Sequence, residues 1–230
     1  ARTGALHFCF EVVPGLVADA EPDTLAPTTN AALTPAAPDG QNGWYTTDVA
    51  VSLEAADNCS GVVATEYSTD GGGTWQPYVG GFNVGGEGIN TILYRSTDGA
   101  GNAEAARSLT IKIDKTAPTL TLSATPSVIW PPNGQTVNVS VNGSGADSVS
   151  GLAGVSYVVT DEYGMPLGIP ARTLSGNSVE WDDSLAVEAR REGRDRDGRL
   201  YRVVATITDL AGNTATASTD IVVPHDQRGR

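Results

Sequence analysis

The stretch Thr97-Asp98-Gly99-Ala100-Gly101-Asn102 returns 111 residues later as Thr208-Asp209-Leu210-Ala211-Gly212-Asn213. Each copy lies between two runs in which apolar and polar residues alternate, which is typical of a β-hairpin turn near the end of a domain. Two more pairs of segments recur in the same order, at spacings of 90 and 91 residues: Asp57–Gly61 with Asp147–Gly151, and Asp23–Thr28 with Asp114–Thr119. Repeats of this period predict a tandem array of one small fold.

The repeat also sets the predicted domain organisation. Residues 23–114 and 115–224 each contain one copy, and each is long enough to form its own core. Residues 1–22 are interpreted as an N-terminal strand and linker, and residues 225–230 as a tail. Short alternating runs rich in Thr and Val predict an all-β chain, made of two tandem Ig-like antiparallel β-sandwiches preceded by an extended strand. One short helical turn is expected within Asp182–Arg194.

Composition limits the function classes. The net charge of −13 over 230 residues disfavours nucleic acid, because phosphate binding needs a basic surface. The sequence contains no run of about 18 apolar residues, so no membrane span is predicted. The arginine-rich stretch Arg190–Arg202 is interleaved with acidic residues, so it is expected to be a solvated loop with local ion pairs.

The two cysteines are Cys9 and Cys59. In a secreted chain we expect them to form a disulfide, and the alternative is a pair of buried free thiols. The bond would close a loop of about 50 residues and contribute about 2–4 kcal/mol to the free energy of unfolding.

The N-terminal segment Leu6–Val13 has the character of a strand. In the repeat it takes the place that Ser108–Ile113 holds before the next domain, so it resembles the last strand of a domain whose remainder is absent. An isolated apolar strand pairs readily with a free sheet edge. It therefore packs on domain one, or it enters the sandwich of an identical subunit and builds a filament. The residues assigned to this assembly strand are Leu6, Phe8, Phe10 and Val12.

Oxygen-bearing side chains recur in loops that an Ig-like sandwich can bring together at one end. Calcium prefers several carboxylate, amide and carbonyl oxygens in a flexible arrangement. The alternative is turn chemistry, because Asp and Asn also bind their own backbone in tight turns. The candidate calcium ligands are Asp57, Asn58, Asp98 and Asn102 in domain one, Asp114 (or Asp23) near a domain junction, and Asp147, Asp209 and Asn213 in domain two.

A second candidate function is glycan binding. Aromatic side chains such as Trp44, Trp75 and Tyr78 would provide a flat platform for sugar rings, and the alternative is that they fill the sandwich core. For a hydrolase the chain offers little. Its histidines are His7 and His225, and it has no nucleophile elbow or zinc pair. The acidic pair Asp182 and Asp183 is expected to be solvated, so we predict no enzyme activity.

Two stretches of domain one, Tyr67–Tyr78 and Tyr94–Asn102, resemble the bacterial Ig-like repeats of secreted and surface proteins, including the OmpL47-type group. Domain two resembles a related Ig-like module through Trp130–Gly134, Asp197–Tyr201 and its Asp-Leu-Ala-Gly-Asn turn. The resemblance implies extracellular arrays that form stalks or are appended to enzymes.

The sequence as a whole therefore predicts a non-enzymatic structural or adhesive module at the cell surface or outside the cell. Its expected partners are neighbouring Ig-like domains or identical subunits, and glycans are a further candidate. Two alternatives stay open: a carbohydrate-binding or spacer appendage of a secreted enzyme, and a filament subunit joined by its N-terminal strand.

Overall fold

The computed structural model describes Phe8–Cys9 and residues 21–226. Every regular element within these residues is a strand, which confirms the all-β prediction. The chain forms two compact units, Ala1–Asp39 with Gly43–Ile113 (domain one) and Gly40–Asn42 with Asp114–Arg230 (domain two). Asp114, which the repeat assigned to the end of domain one, belongs to domain two.

Domain one is a sandwich of two antiparallel sheets. Its strands are β3 (Thr28–Thr34), β4 (Val49–Ala56), β5 (Val62–Ser68), β6 (Gln76–Pro77), β7 (Phe82–Val84), β8 (Gly88–Asp98) and β9 (Arg107–Ile113). One sheet has the order β3-β4-β7 and the other the order β6-β5-β8-β9. Side chains alternate between the two faces of a strand, so β8 buries Ile92 and Tyr94 while Leu93 between them points to the other face and is only half-buried. The core is completed by Val49 and Val51 of β4.

Domain two repeats this arrangement. Its strands are β10 (Thr119–Thr125), β11 (Thr136–Ala146), β12 (Leu152–Asp161), β13 (Arg172–Thr173), β14 (Ser178–Glu188), β15 (Arg199–Asp209) and β16 (Thr214–Val223). The sheet orders are β10-β11-β14 and β13-β12-β15-β16. Both domains therefore share one strand topology, and the predicted pair of Ig-like sandwiches is confirmed.

The helical turn expected within Asp182–Arg194 is wrong, because residues 182–188 belong to β14 and residues 189–194 form no helix. Trp181, Leu185 and Val187 are buried on one face of this strand, and the partly buried Asp183 lies on the same face. Asp182, Ser184 and Ala186 point to the other face and are exposed. This period of two is the signal of a half-buried strand. The adjacent acidic residues Asp182 and Asp183 concealed it.

The N-terminal segment is described only in part. Strand β1 (Phe8–Cys9) pairs antiparallel with β2 (Glu21–Pro22), with Phe8 opposite Pro22 and Cys9 opposite Glu21. Three residues of the predicted assembly strand, Leu6, Phe10 and Val12, lie outside the described residues, and so does the side chain of Cys9. Strand donation and the Cys9–Cys59 disulfide therefore stay predictions.

Among the described residues, no helix is long and apolar enough to cross a membrane.

Candidate metal centres

The repeated loops of domain one bring three carboxyl groups together at one end of the sandwich. Asp23 precedes β3, Asp57 begins the loop between β4 and β5, and Asp98 ends β8. One carboxylate oxygen from each lies within 4.8 Å of the others. We call this group the domain-one triad.

Domain two builds the same arrangement from the matching positions. Asp114 precedes β10, Asp147 begins the loop between β11 and β12, and Asp209 ends β15. Their carboxylate oxygens also lie within 4.8 Å of one another. We call this group the domain-two triad. The three pairs of repeated segments in the sequence thus converge on two copies of one site.

Backbone N–H groups hold the middle aspartate of each triad in the same way. Asp57 Oδ2 accepts hydrogen bonds from the N–H groups of Cys59 at 2.9 Å and Gly61 at 2.8 Å. Asp147 Oδ1 accepts the matching bonds from Val149 at 3.0 Å and Gly151 at 2.7 Å. Each loop ends on a glycine with positive φ, which explains why both copies of the segment finish in Gly.

The first aspartate of each triad connects the incoming segment to that same loop. Asp23 accepts from the N–H groups of Leu25 at 3.2 Å and Ser60 at 3.0 Å. In domain two Asp114 accepts from Thr116 at 3.1 Å and Ser150 at 3.0 Å.

An asparagine clamps the last aspartate to the incoming segment. Asn102 Nδ2 donates to Asp98 Oδ2 at 2.8 Å and to the carbonyl oxygen of Asp23 at 3.2 Å. Asn213 Nδ2 donates to Asp209 Oδ2 at 2.9 Å and to the carbonyl oxygen of Asp114 at 3.1 Å. In this arrangement the amide nitrogens of both asparagines serve as hydrogen-bond donors that hold the carboxylates in place.

Burial makes each triad electrostatically costly. In domain two all three aspartates are buried, and in domain one Asp23 and Asp98 are buried while Asp57 is half-buried. Like charges at this distance repel, and a buried carboxylate requires a cation, a proton or hydrogen bonds. The backbone and asparagine donors satisfy part of this need. The atom Asp57 Oδ1 is buried and has no hydrogen-bond partner.

The pKa values of two matching aspartates respond to this environment in opposite directions. Burial raises the pKa of Asp209, the charge of Asp114 adds to the rise, and the hydrogen bonds from Asn213 offset only part of it. Burial and the charge of Asp23 also act to raise the pKa of Asp98, but the bonds from Asn102 outweigh them and hold it below its usual value.

Most of the predicted calcium ligands are thus brought together within each domain. Asp57 and Asp98 meet in the domain-one triad, and Asp114, Asp147 and Asp209 form the domain-two triad. Asn58 lies beside Asp57 in its loop without belonging to the triad. Sequence reasoning named Asp23 only as an alternative to Asp114, although the repeated Asp-x-x-Ala-Pro-Thr pattern places both at the same point of their domains.

The three aromatic residues predicted for glycan binding lie in different surroundings. Trp44 is buried, with 8 % of its surface exposed, so it offers no open face for a sugar ring. Tyr78 packs against the domain-one core, and its hydroxyl accepts from the Leu53 N–H at 3.1 Å. Trp75 is half-buried with the Arg95 guanidinium 4.1 Å from its ring centroid. Glycan binding at Trp75 stays a prediction.

Arg199 corrects the expectation of a solvated arginine loop. Only 2 % of its surface is exposed, and it begins strand β15. Its Nε and Nη2 atoms donate to the two carboxylate oxygens of Asp161, both at 2.8 Å, and its Nη1 donates to Glu188 at 3.1 Å. Hydrogen bonding to Asp161 raises the pKa of Arg199 above its usual value, so the guanidinium is charged. This ion pair is buried inside domain two. The interleaved charges of the sequence predicted local, solvated ion pairs instead.

The chain was compared with known proteins. No protein-family model matches it, and no curated protein matches it. Solved structures that match the chain include fibronectin(III)-like modules of CbhA from Clostridium thermocellum, with 13 % identity over 85 % of this chain and 94 % of that chain at a TM-score of 0.35. The D00-D0 domain of intimin matches at 12 % identity over 84 % of this chain and 100 % of that one, with a TM-score of 0.34.

A third structure is a tetra-tandem repeat from the extending region of a large adhesion protein, with 17 % identity over 86 % of this chain and 50 % of that one, at a TM-score of 0.32. At these identities and TM-scores, the matches carry no argument about the fold or the role of this chain. The class of the chain, a pair of Ig-like β-sandwiches, rests on its own sheet orders. The resemblance to the OmpL47-type group stays a prediction.

Proposed function

We propose that the chain is a non-enzymatic structural or adhesive module of an extracellular protein, in which each Ig-like domain is stabilised by one Ca²⁺ ion at its aspartate triad. The observation that carries the proposal is the duplication of the site. Three carboxylates, their backbone donors and the asparagine clamp recur at matching positions in both domains.

The charge of the triads supports a cation. In domain two, Asp114, Asp147 and Asp209 bring three carboxylates into a buried space at neutral pH. Protonating them would relieve the repulsion, but the ordinary pKa of an aspartate, about 3.9, is far from neutral. A bound divalent cation relieves the repulsion between the carboxylates while all three stay ionised.

The donor set favours calcium among the common cations. All clustered groups are carboxylates, hard oxygen ligands of the kind that Ca²⁺ prefers. Zinc favours nitrogen and sulfur ligands, and the clusters contain neither His nor Cys. Extracellular calcium modules bind with dissociation constants of about 10⁻⁴–10⁻³ M, so the sites are expected to fill at millimolar Ca²⁺.

The position of the triads favours a structural role for the ion. Each triad joins three separate parts of its domain: the segment before the first strand, a loop between the two sheets, and the final hairpin. An ion held by all three would cross-link the incoming segment to both sheets. Resistance to unfolding at the ends of the domains is what a stalk, spacer or adhesive array requires.

Thermal unfolding with and without calcium tests the proposal. We expect the chelated protein to melt at a lower temperature than the protein in millimolar Ca²⁺, because binding to the folded state alone adds stability that grows with ligand concentration. Asp98→Asn and Asp209→Asn should each remove part of the shift. Asp182→Asn, which makes the same change outside either triad, should leave it intact.

An unchanged melting curve in both Ca²⁺ and chelator would contradict the calcium role. An equal shift in Asp182→Asn and in the triad variants would assign the effect to general screening of the acidic surface.

A further inference from the structure

Strand β3 of domain one lies at the edge of its sheet. The order β3-β4-β7 gives it a single neighbour, with Thr29 opposite Ala55. An edge strand exposes a row of unpaired N–H and C=O groups that can pair with another chain. The strand Thr28–Thr34 contains no proline and no charged residue that would discourage such pairing.

Both backbone groups of Thr29 face away from β4. In an antiparallel pair, a residue directs its N–H and C=O groups together, either to its partner strand or to the opposite side. The Thr29 N–H donates to Glu104 Oε2 at 3.3 Å, and its carbonyl oxygen accepts from Arg107 Nη1. These bonds occupy the outer side of the edge at Thr29.

Glu104 and Arg107 thus supply the acceptor and the donor that a neighbouring strand would supply. Glu104 comes from the connection between β8 and β9, and Arg107 begins β9. Thr29 is fully buried, although it lies on an edge strand. The side chains of Glu104 and Arg107 bond to its outward backbone groups, and its own hydroxyl faces Ser96.

The carboxylate of Glu104 is held firmly in this position. Its Oε1 accepts from the Ser96 N–H at 2.9 Å and from the Thr29 hydroxyl, and its own N–H donates to the Ser96 carbonyl at 3.0 Å. The Ser96 hydroxyl lies 2.7 Å from that of Thr29 and 2.8 Å from that of Thr65. A buried polar cluster therefore anchors the two covering side chains.

Domain two fills the matching positions with apolar or small residues. The repeat places Leu120, Val155 and Ile207 where domain one has Thr29, Thr65 and Ser96, and Ala215 where it has Glu104. The strand register places Ala217 where domain one has Arg107. Leu120 and Ala215 pack on an apolar cluster that contains Val155 and Ile207. The polar cluster is therefore a feature of domain one and not of the repeated fold.

We propose that Glu104 and Arg107 form an edge guard, which prevents the free edge of β3 from pairing with the same edge of a second copy of this chain. The guard satisfies the outward groups of Thr29 internally. A second chain would have to displace two charged side chains before its own strand could bind.

Hydrogen exchange and light scattering on the full chain test the guard. In the double variant Glu104→Ala/Arg107→Ala, the Thr29 amide should exchange about tenfold faster, the factor expected for the loss of a net hydrogen bond. The variant should also form dimers or larger species as its concentration rises. The matched control is Arg202→Ala/Asp220→Ala, which removes an exposed ion pair of the same charges and should behave as the parent chain.

A folded double variant that keeps the exchange rate and the mass of the parent chain at every concentration would overturn the proposal. If the double variant loses its cooperative unfolding, Arg107→Ala alone decides the question, because it exposes only the Thr29 carbonyl and leaves the bonds of Glu104 in place. Self-association of that variant beyond the control supports the guard, and its absence rejects it.

Discussion

At the scale of single residues, Asp98 and Asp209 show how one motif gives two electrostatic outcomes. Both end a strand, and both accept hydrogen bonds from the asparagine four residues later. The triad of Asp209 is buried throughout, while that of Asp98 includes the half-buried Asp57. Burial therefore dominates for Asp209 and raises its pKa, whereas hydrogen bonds dominate for Asp98 and lower it.

This difference predicts how the free energy of unfolding depends on pH once a chelator has removed any Ca²⁺ from the protein. Because the pKa of Asp209 is raised by folding, its contribution to stability is fully present below the ordinary value of about 3.9 and is lost as pH rises through the folded pKa. As pH falls from 7 to 4, the free energy of unfolding of the parent chain should therefore rise relative to that of Asp209→Asn, which takes up no proton. Denaturant unfolding across this range measures the difference.

Asp98→Asn is the matched comparison for that experiment. The lowered pKa of Asp98 gives a contribution that is present above about 3.9 and is lost as pH falls through the folded pKa. The difference between the parent chain and Asp98→Asn should be flat from pH 7 to 4. The same slope for both variants would show that the local burial of Asp209 is not the cause.

Arg199 supports a second prediction at this scale. Replacing it with alanine leaves the buried carboxylate of Asp161 without its bidentate partner, so Arg199→Ala should lower the free energy of unfolding by about 3–5 kcal/mol. Arg202→Ala breaks an exposed pair with Asp220 and should cost at most about 1 kcal/mol. Equal losses in chemical denaturation would mean that burial does not set the value of the Arg199 pair.

The sequence revealed the triads better than it revealed Arg199, for a physical reason. Asp57, Asp98 and their counterparts sit in loops with Gly and Asn at fixed offsets, so local turn chemistry marks them. Arg199 belongs to an arginine-rich run that is interleaved with acidic residues such as Asp195 and Asp197, so local ion pairs are the simplest expectation. Its true partner, Asp161, lies 38 residues away on β12, and only the pairing of β12 with β15 brings them together.

At the scale of elements, glycines in β11 make room for the largest buried ring of domain two. Gly143 lies opposite Trp181 of β14, and a Cβ atom there would overlap the indole. The indole Nε1 donates to the Tyr157 hydroxyl at 2.6 Å, which in turn donates to Asp183 at 2.7 Å. The ring is thus fixed by packing and by a hydrogen-bonded chain.

Gly143→Ala should therefore destabilise domain two. Forcing extra volume into a well-packed core costs about 1–3 kcal/mol. The control is Gly168→Ala, where an added Cβ meets no atom within 4 Å. Thermal unfolding of both variants should show a lower transition only for Gly143→Ala, and a matching loss in both would refute the packing argument.

Clean alternation of buried and outward-facing side chains marks strands such as β4, β8 and β15. Strand β14 was missed because Asp183 occupies an inward position, where it binds Tyr157 and the guanidinium of Arg172. An acidic residue in an inward row breaks the pattern on which the prediction depends. Such a partner can be recognised only when the neighbouring strand is known.

At the scale of the whole molecule, the two domains repeat one topology and one loop scaffold but differ in their second core. Domain two has the apolar cluster around Trp181 and Ile207, and domain one has the polar cluster of the edge guard. The repeat in the sequence predicted what the domains share. It could not predict the difference between the two interiors, because the turn residues that recur in both domains carry no information on which side chains fill each core.

The predicted Cys9–Cys59 disulfide belongs to this scale, since it would tie the N-terminal segment to domain one. Iodoacetamide should modify both cysteines only after reduction, and reduction should lower the free energy of unfolding by about 2–4 kcal/mol. Cys9→Ser/Cys59→Ser provides the control. Its free energy of unfolding should equal that of the reduced parent chain and should not change when reductant is added. Complete alkylation of the unreduced, denatured chain would rule the bond out.

The most direct test of the central claim is the number of Ca²⁺ ions that bind, measured by isothermal titration of the chelator-treated chain. Two matching triads predict two ions per chain. Asp98→Asn should reduce the count to one by disabling domain one, and Asp209→Asn should do the same for domain two. A titration of the folded parent chain that detects no binding up to millimolar Ca²⁺ would contradict the account, and the triads would then be turn structures held by their own hydrogen bonds.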